Sequence, residues 1–284
     1  MSALTDAPVI PAPKTAASST HLSFPRLVRA EWIKFTTLRS TWWSIGLVAV
    51  ISVGLSLLQA TAIGSFSEGP VPTTAAEVNS TAVMVIVFAT VLTQLLAVII
   101  GTIMVTGEYS TGMIRSTLTA EPRRLGSLLA KGLVVGATMF AFSLIVFAVA
   151  ALVTGPILPA GGVDLSDPQT SVMPLLGAAL YLALIAMMGV GIGFIVRNGP
   201  GALAVGIGVV FVAPVLVLFF PATPDFEWVQ TLAAYLPSNA GQSLFMGQPL
   251  SGTVLETGPA LITIIAWAVA AIAIGGGVLK ARDA

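Results

Sequence analysis

The sequence predicts an all-α polytopic membrane protein with six transmembrane helices, and three observations predict it. Of 284 residues, 56% are apolar and only 8% charged, where a soluble domain carries about 25% charged residues. Six apolar runs are each about 20 residues or longer, enough for a helix to cross a ~30 Å hydrocarbon layer. Every Lys and Arg lies in stretches that share one side of the membrane if those runs are spans. Together these exclude an ordinary soluble enzyme and a disordered chain.

Residues 1–22 are rich in Ala, Pro, Ser and Thr and have no apolar signal-peptide core, so they read as a disordered cytoplasmic tail. Residues 23–284 read as a single six-helix transmembrane domain. Its spans are predicted at Trp42–Ile63, Thr81–Thr106, Gly132–Thr154, Met173–Val196, Gly201–Phe220 and Gly258–Leu279, and none contains Asp, Glu, Lys, Arg or His. Lipid cannot satisfy an open backbone, so each must be a helix. The short alternating segments of a β-barrel are absent.

Basic residues set the orientation. Lys14, Arg26, Arg29, Lys34 and Arg39 precede span 1. Arg115, Arg123, Arg124 and Lys131 lie between spans 2 and 3, Arg197 between spans 4 and 5, and Lys280 and Arg282 after span 6. The remaining loops hold only acids: Glu68, Glu77, Asp164, Asp167, Asp225, Glu227 and Glu256. With six spans, both termini face the cytoplasm of a multi-pass cell-membrane protein.

Phe24–Arg39 predicts an interfacial amphipathic helix, with Phe24, Leu27, Val28, Trp32, Phe35 and Leu38 on one arc facing lipid. Glu31 projects within that arc and needs a partner, either Lys34 or a basic residue of the next inner loop. Ser110 is a candidate N-cap for a short inner helix over Thr111–Leu118 that exposes Met113 and Ile114 beside Arg115. Composition alone favours reading this loop as a basic stop-transfer segment with no partner. The outer segment Pro221–Thr257 predicts a helical hairpin dipping into the outer leaflet. Asp225 would cap Phe226–Tyr235, Ser238 would cap Asn239–Met246, and Pro237 would fall between them.

Inside the spans, Gly132–Gly136 and Gly189–Gly193 are Gly-x-x-x-Gly pairs that favour close helix packing. Pro214 predicts a kink in span 5. Gln94, with Thr90 and Thr93 nearby, either lines a substrate path or bonds a neighbouring helix. There is no Cys and one His, so no thiolate metal site or cysteine nucleophile is available.

The stretch Arg29-Ala30-Glu31-Trp32-Ile33-Lys34-Phe35-Thr36-Thr37-Leu38-Arg39-Ser40-Thr41-Trp42-Trp43 resembles the approach to span 1 in ABC-2 type transporter permeases. Gly107-Glu108-Tyr109-Ser110-Thr111-Gly112-Met113-Ile114-Arg115-Ser116-Thr117-Leu118 is similar to that family's signature between spans 2 and 3. Leu236-Pro237-Ser238-Asn239-Ala240 and the terminal Arg282-Asp283-Ala284 are similar to its patterns near span 6. The usual basic run at the C-terminus is thinned here to Lys280 and Arg282.

The resemblance implies a permease subunit of an ATP-binding-cassette exporter. Two such subunits, identical or related, pack side by side in lipid, each resting on a cytoplasmic ATPase subunit. Glu108, Thr111, Gly112, Met113, Ile114, Arg115 and Leu118 would couple to the ATPase, with Glu31, Lys34 and Arg39 bracing the N-terminal helix. Thr90, Thr93 and Gln94 would lie on the substrate path. The chain has no Gly-x-x-x-x-Gly-Lys-[Ser/Thr] loop, so ATP and Mg are expected in the partner and no cofactor here. The chain is expected not to be an enzyme, and neither a metal site nor a nucleic-acid partner is expected. An apolar interior suits hydrophobic or amphipathic cargo. The alternative is a secondary transporter or channel; carriers usually hold an ionisable group within the membrane, and the predicted spans hold none.

Overall fold

Backbone amides in hydrocarbon have no water to bond, so each apolar run satisfies its own N–H and C=O groups by coiling. The computed structural model describes residues 23–66, 74–120, 125–158, 161–221, 223–246 and 249–281, and every regular element among them is a helix. The N-terminal half holds α1 (Phe24–Thr37), α2 (Arg39–Phe66), α3 (Ala75–Val87), α4 (Thr90–Ser110), α5 (Met113–Ala120) and α6 (Leu125–Thr154). Then come α7 (Val172–Val196), α8 (Gly199–Ile207), α9 (Ala213–Val217), α10 (Glu227–Ala234), α11 (Pro237–Ser243) and α12 (Thr257–Ala281). Six helical stretches among these are long and apolar enough to cross a membrane: α2, α4, α6, α7, the α8–α9 unit and α12. The N-terminal tail and the terminal Arg282–Ala284 lie outside the described residues.

The expected single helix over Thr81–Thr106 is two helices, α3 and α4, with a break at Phe88–Ala89. Side chains take the carbonyls that a continuous helix would use. Ser56 Oγ donates to Ile86 O at 3.2 Å, and Thr90 Oγ1 donates to Val87 O at 2.6 Å. A capping box between Thr74 and Glu77 starts α3.

Two helices run beyond their predicted ends. α4 continues to Ser110, and α6 starts at Leu125 and has 30 residues, about 45 Å at 1.5 Å per residue. Glu108 and Lys131, just outside the predicted spans, therefore lie within long helices, as do Arg39 and Lys280 at the ends of α2 and α12. Span 5 departs differently. Pro214 has no N–H to give, and its ring would strike the carbonyl four residues earlier. A π-helical turn at Gly208–Val212 absorbs the misfit, with the Ala213 N–H bonding Gly208 O.

α7 is the central helix: 78% of its most apolar window is buried, against 28% for α2, α8–α9 and α12. Small residues at two-residue spacing allow this, because they face opposite sides of a helix. A Cβ atom on Gly189 would strike the Val98 carbonyl of α4, one on Gly193 the Val105 side chain of the same helix, and one on Gly191 the Ala271 carbonyl of α12. The Gly189–Gly193 pair is a packing seam.

The segment before α12 folds into the short helices α10 and α11 with different caps from those expected. Neither Asp225 nor Ser238 is an N-cap. Phe226 and Leu236 hold those positions without a side-chain bond, and Pro237 is the first residue of α11. Proline needs no partner for its missing N–H there. Ser238 and Asn239 are instead buried, and the Asn239 amide bonds Ala233 O at 2.8 Å and Ser251 Oγ at 3.0 Å. Trp267 Nε1 donates to Tyr235 O at 2.8 Å, tying this cap to α12.

Candidate functional site

The apolar arc of α1 does not simply face lipid. Leu27 and Val28 are half-buried, Phe35 is buried, and so is Glu31, at 3% exposure. A carboxylate in such a position needs compensation, and two lysines supply it. Glu31 Oε1 accepts from Lys34 Nζ at 2.8 Å, and Glu31 Oε2 accepts from Lys131 Nζ at 2.5 Å. Glu108 Oε1 accepts from both Lys34 and Lys131 at 2.9 Å. The result is a closed, electrically neutral ring of two carboxylates and two ammonium groups joining α1, α4 and α6. Lys34 Nζ also reaches Thr117 Oγ1 of α5 at 3.4 Å.

Lys131 is the deepest member, at 1% exposure, while the Lys34 side chain keeps 25%. Burial works against the Lys34 ammonium. Its bonds and charge attraction to Glu31 and Glu108 outweigh that, so its pKa lies above the ordinary lysine value. Buried ion networks contribute little net stability relative to apolar packing, but removing one member is costly. The ring therefore acts chiefly as a geometric lock, with α1 held in one register against α4 and α6. Glu108 Oε2 has no hydrogen-bond partner among the described residues. Beside Glu108 a cleft of about 250 Å³ runs between α2 and α4, lined partly by Thr41, Ser44, Met104 and Thr111.

The α4–α5 junction differs from the expected capped helix. Ser110 ends α4, with its hydroxyl bonding back to Gly107 O at 2.9 Å, and Thr111 Oγ1 bonds the same carbonyl at 2.9 Å. Gly112 makes the turn at φ +71°, a conformation that side chains resist. The expected exposed Met113–Ile114 pair is split. Met113 is 42% exposed, whereas Ile114, at 3%, belongs to the main apolar core. On an eight-residue helix the two neighbours point about 100° apart, so only one can face outward. Arg115 and Leu118 lie on α5, with their side chains outside the described set. Arg39, expected to brace the N-terminal helix, opens α2 as an exposed residue and takes no part in the ring.

Thr90, Thr93 and Gln94 are buried within the subunit, at 1–2% exposure. Gln94 Oε1 accepts from the Tyr181 hydroxyl of α7, and Gln94 Nε2 donates to Val91 O at 2.8 Å. Gln94 thus bonds a neighbouring helix, Thr90 bonds the Val87 carbonyl just before it, and Thr93 Oγ1 has no hydrogen-bond partner among the described residues. The Tyr181 ring in turn fills the space against which Gly241 of α11 packs. A column thus runs from the cap through α7 to α4.

Lys131 and Tyr181 were not singled out by sequence reasoning. A signal for Lys131 existed. Glu108 and Lys131 fall one or two residues beyond the predicted ends of adjacent spans, which places opposite charges at one depth. Tyr181 had none. At the same end, Arg197, at φ +58°, closes α7, donates Nη2 to Val278 O at 2.9 Å and lies over the Tyr109 ring at 5.4 Å. Among the described residues no group of three metal-ligating side chains gathers. The chain matches no protein-family model, and no curated protein matches it.

Proposed function

We propose that this chain is the membrane-embedded permease subunit of an ATP-binding-cassette exporter. It would move a hydrophobic or amphipathic substrate out of the cell, using ATP hydrolysed by a separate cytoplasmic ATPase. The observation that carries the reading is the ionic ring. A motor acting from outside the membrane needs rigid handles at one end of the bundle. The ring ties α1, the end of α4 and the start of α6 into one body, and Lys34 joins α5 to it. The resemblance at Arg29–Trp43 and Gly107–Leu118 falls on those same handles.

On this reading the basic end faces the cytoplasm, two copies or relatives pair in the cell membrane, and Met113 at the α4–α5 junction meets the ATPase. Glu108 transmits the push, because it closes the ring one turn before that junction. The α10–α11 cap forms the external lid, with the exposed Trp228 and Leu232 seated in the outer leaflet. A second reading, an ion-coupled carrier, is favoured by one observation, the burial of Glu108 and Lys131 within long helices. The neutral ring argues against it, since each carboxylate already holds two ammonium partners.

The test is co-expression with the soluble ATPase encoded nearest this chain. The pair should co-purify, and substrate should stimulate ATP turnover. Met113→Asp should leave the permease folded and abolish co-purification, since it sets a charge in an apolar contact. Normal assembly and transport by that variant would refute the docking role. Transport driven by an ion gradient without ATP would establish the second reading.

A further inference from the structure

We propose that the groove between α1, α2 and α6 is a binding site for an acyl chain of an anionic phospholipid, with the headgroup held by Arg29 and Arg39. The groove has a volume of about 630 Å³ and an almost wholly apolar lining that includes Val28, Trp32, Trp42, Ile45, Ala137 and Ala141. It is open rather than enclosed, because Trp32 and Trp42 on its walls are 48% and 58% exposed. The small Ala137 and Ala141 leave its floor hollow where larger residues would fill it. Such a trough, facing hydrocarbon, takes an extended chain and not a polar solute.

The groove's mouth lies at the end of the bundle that carries the basic residues. Arg39, Trp42 and Ile45 recur every three residues on α2, so Arg39 continues the lining stripe one turn beyond it. Arg29 stands three residues before Trp32 on α1 and borders the same wall. Both guanidinium groups are exposed, and neither forms an ion pair with a described residue. The nearest carboxylate on α1, Glu31, is buried and already paired. The local field is therefore positive, and a phosphate diester complements it. A second apolar groove on the outer half of α6 is lined in part by Leu144, Ala148, Ala151 and Leu175; no cation lines either groove, but only the inner one has arginines one turn from its lining residues. The combination of hollow and paired arginines belongs to the inner groove.

This proposal rests on membrane embedding alone and stands whether or not the chain is an ATP-driven permease. It is tested on the full chain, without an ATPase, in nanodiscs of neutral lipid. Trp32 and Trp42 report occupancy through quenching by lipids brominated on the acyl chain, in a Trp43→Phe/Trp228→Phe/Trp267→Phe background that removes the other three tryptophans. Brominated phosphatidylglycerol should half-quench at about a tenfold lower mole fraction than brominated phosphatidylcholine. R29Q/R39Q should bring the two lipids level. A137L/A141L should remove the strong quenching by both while the protein remains monodisperse. Soluble glycerol phosphate should not compete. Equal quenching by both lipids in the parent chain, or an unchanged preference in R29Q/R39Q, would overturn the proposal. So would competition by glycerol phosphate, which would make the arginines an anion site independent of the groove.

Discussion

Lys131→Met tests the ionic ring directly. The side chain is 1% exposed and its ammonium bonds Glu31 at 2.5 Å and Glu108 at 2.9 Å. Methionine keeps the volume and removes the charge, leaving two buried carboxylates to share Lys34. Breaking a buried ion pair from one side costs about 3–5 kcal/mol, and the near-complete burial of Lys131 places it at the upper part of that range. Lys34→Met removes the same number of ring bonds, but its side chain is 25% exposed. Solvent screens that site, so about 1–2 kcal/mol is expected there. The assay is equilibrium unfolding of the purified protein by SDS in mixed micelles. Glu108→Gln in the Lys131→Met background should recover much of the loss, because the ring then holds one lysine and one carboxylate. If Lys131→Met unfolded at the parent's SDS fraction, or if Lys34→Met cost as much, the ring would not be the lock described. The pH dependence has a definite sign. The Lys34 pKa is raised in the folded protein, so its contribution is complete below about 10.4 and is lost as pH rises through the folded value. From Lys34, the same unfolding assay should therefore show no loss of stability between about pH 6 and about pH 9, and loosening only in stronger alkali.

Three further outcomes follow from the geometry. Gly241→Val drives a side chain into the Tyr181 ring; it should cost at least about 1–3 kcal/mol of overpacking, measured by the same unfolding assay, and Tyr181→Ala in the same chain should relieve part of it. Gln94→Ala orphans the buried Tyr181 hydroxyl and should cost about 1–3 kcal/mol, whereas Gln94→Leu with Tyr181→Phe removes both partners and should be milder; a change in substrate preference without loss of stability would return Gln94 to the path. Ser166 lies exposed in the loop between α6 and α7, and the chain has no cysteine. Ser166→Cys should therefore react with an impermeant maleimide only from outside the cell, and labelling only from within would reverse the orientation.

The sequence by itself determined the six apolar spans, because runs of about 20 apolar residues in lipid have only the helix open to them. It also determined that Glu31 must find a cation, since its place within an apolar arc is a local matter of helical period. Pro214 announced a disturbance in span 5 for the same local reason, a missing N–H. The tertiary structure alone decided which cation Glu31 finds: Lys131 lies 100 residues away, and only the docking of α1 on α6 brings it within reach. It decided likewise that Ile114 turns into the core while Met113 stays outside. A two-turn helix presents both residues equally until a neighbour covers one face. Gln94 shows the same division. Its polarity was plain in the sequence, but bonding to a neighbour and lining a path look identical until the position of Tyr181 is known. Side-chain period and backbone chemistry act over a few residues and are legible in order along the chain, whereas pairing between helices depends on packing that sequence separation does not encode.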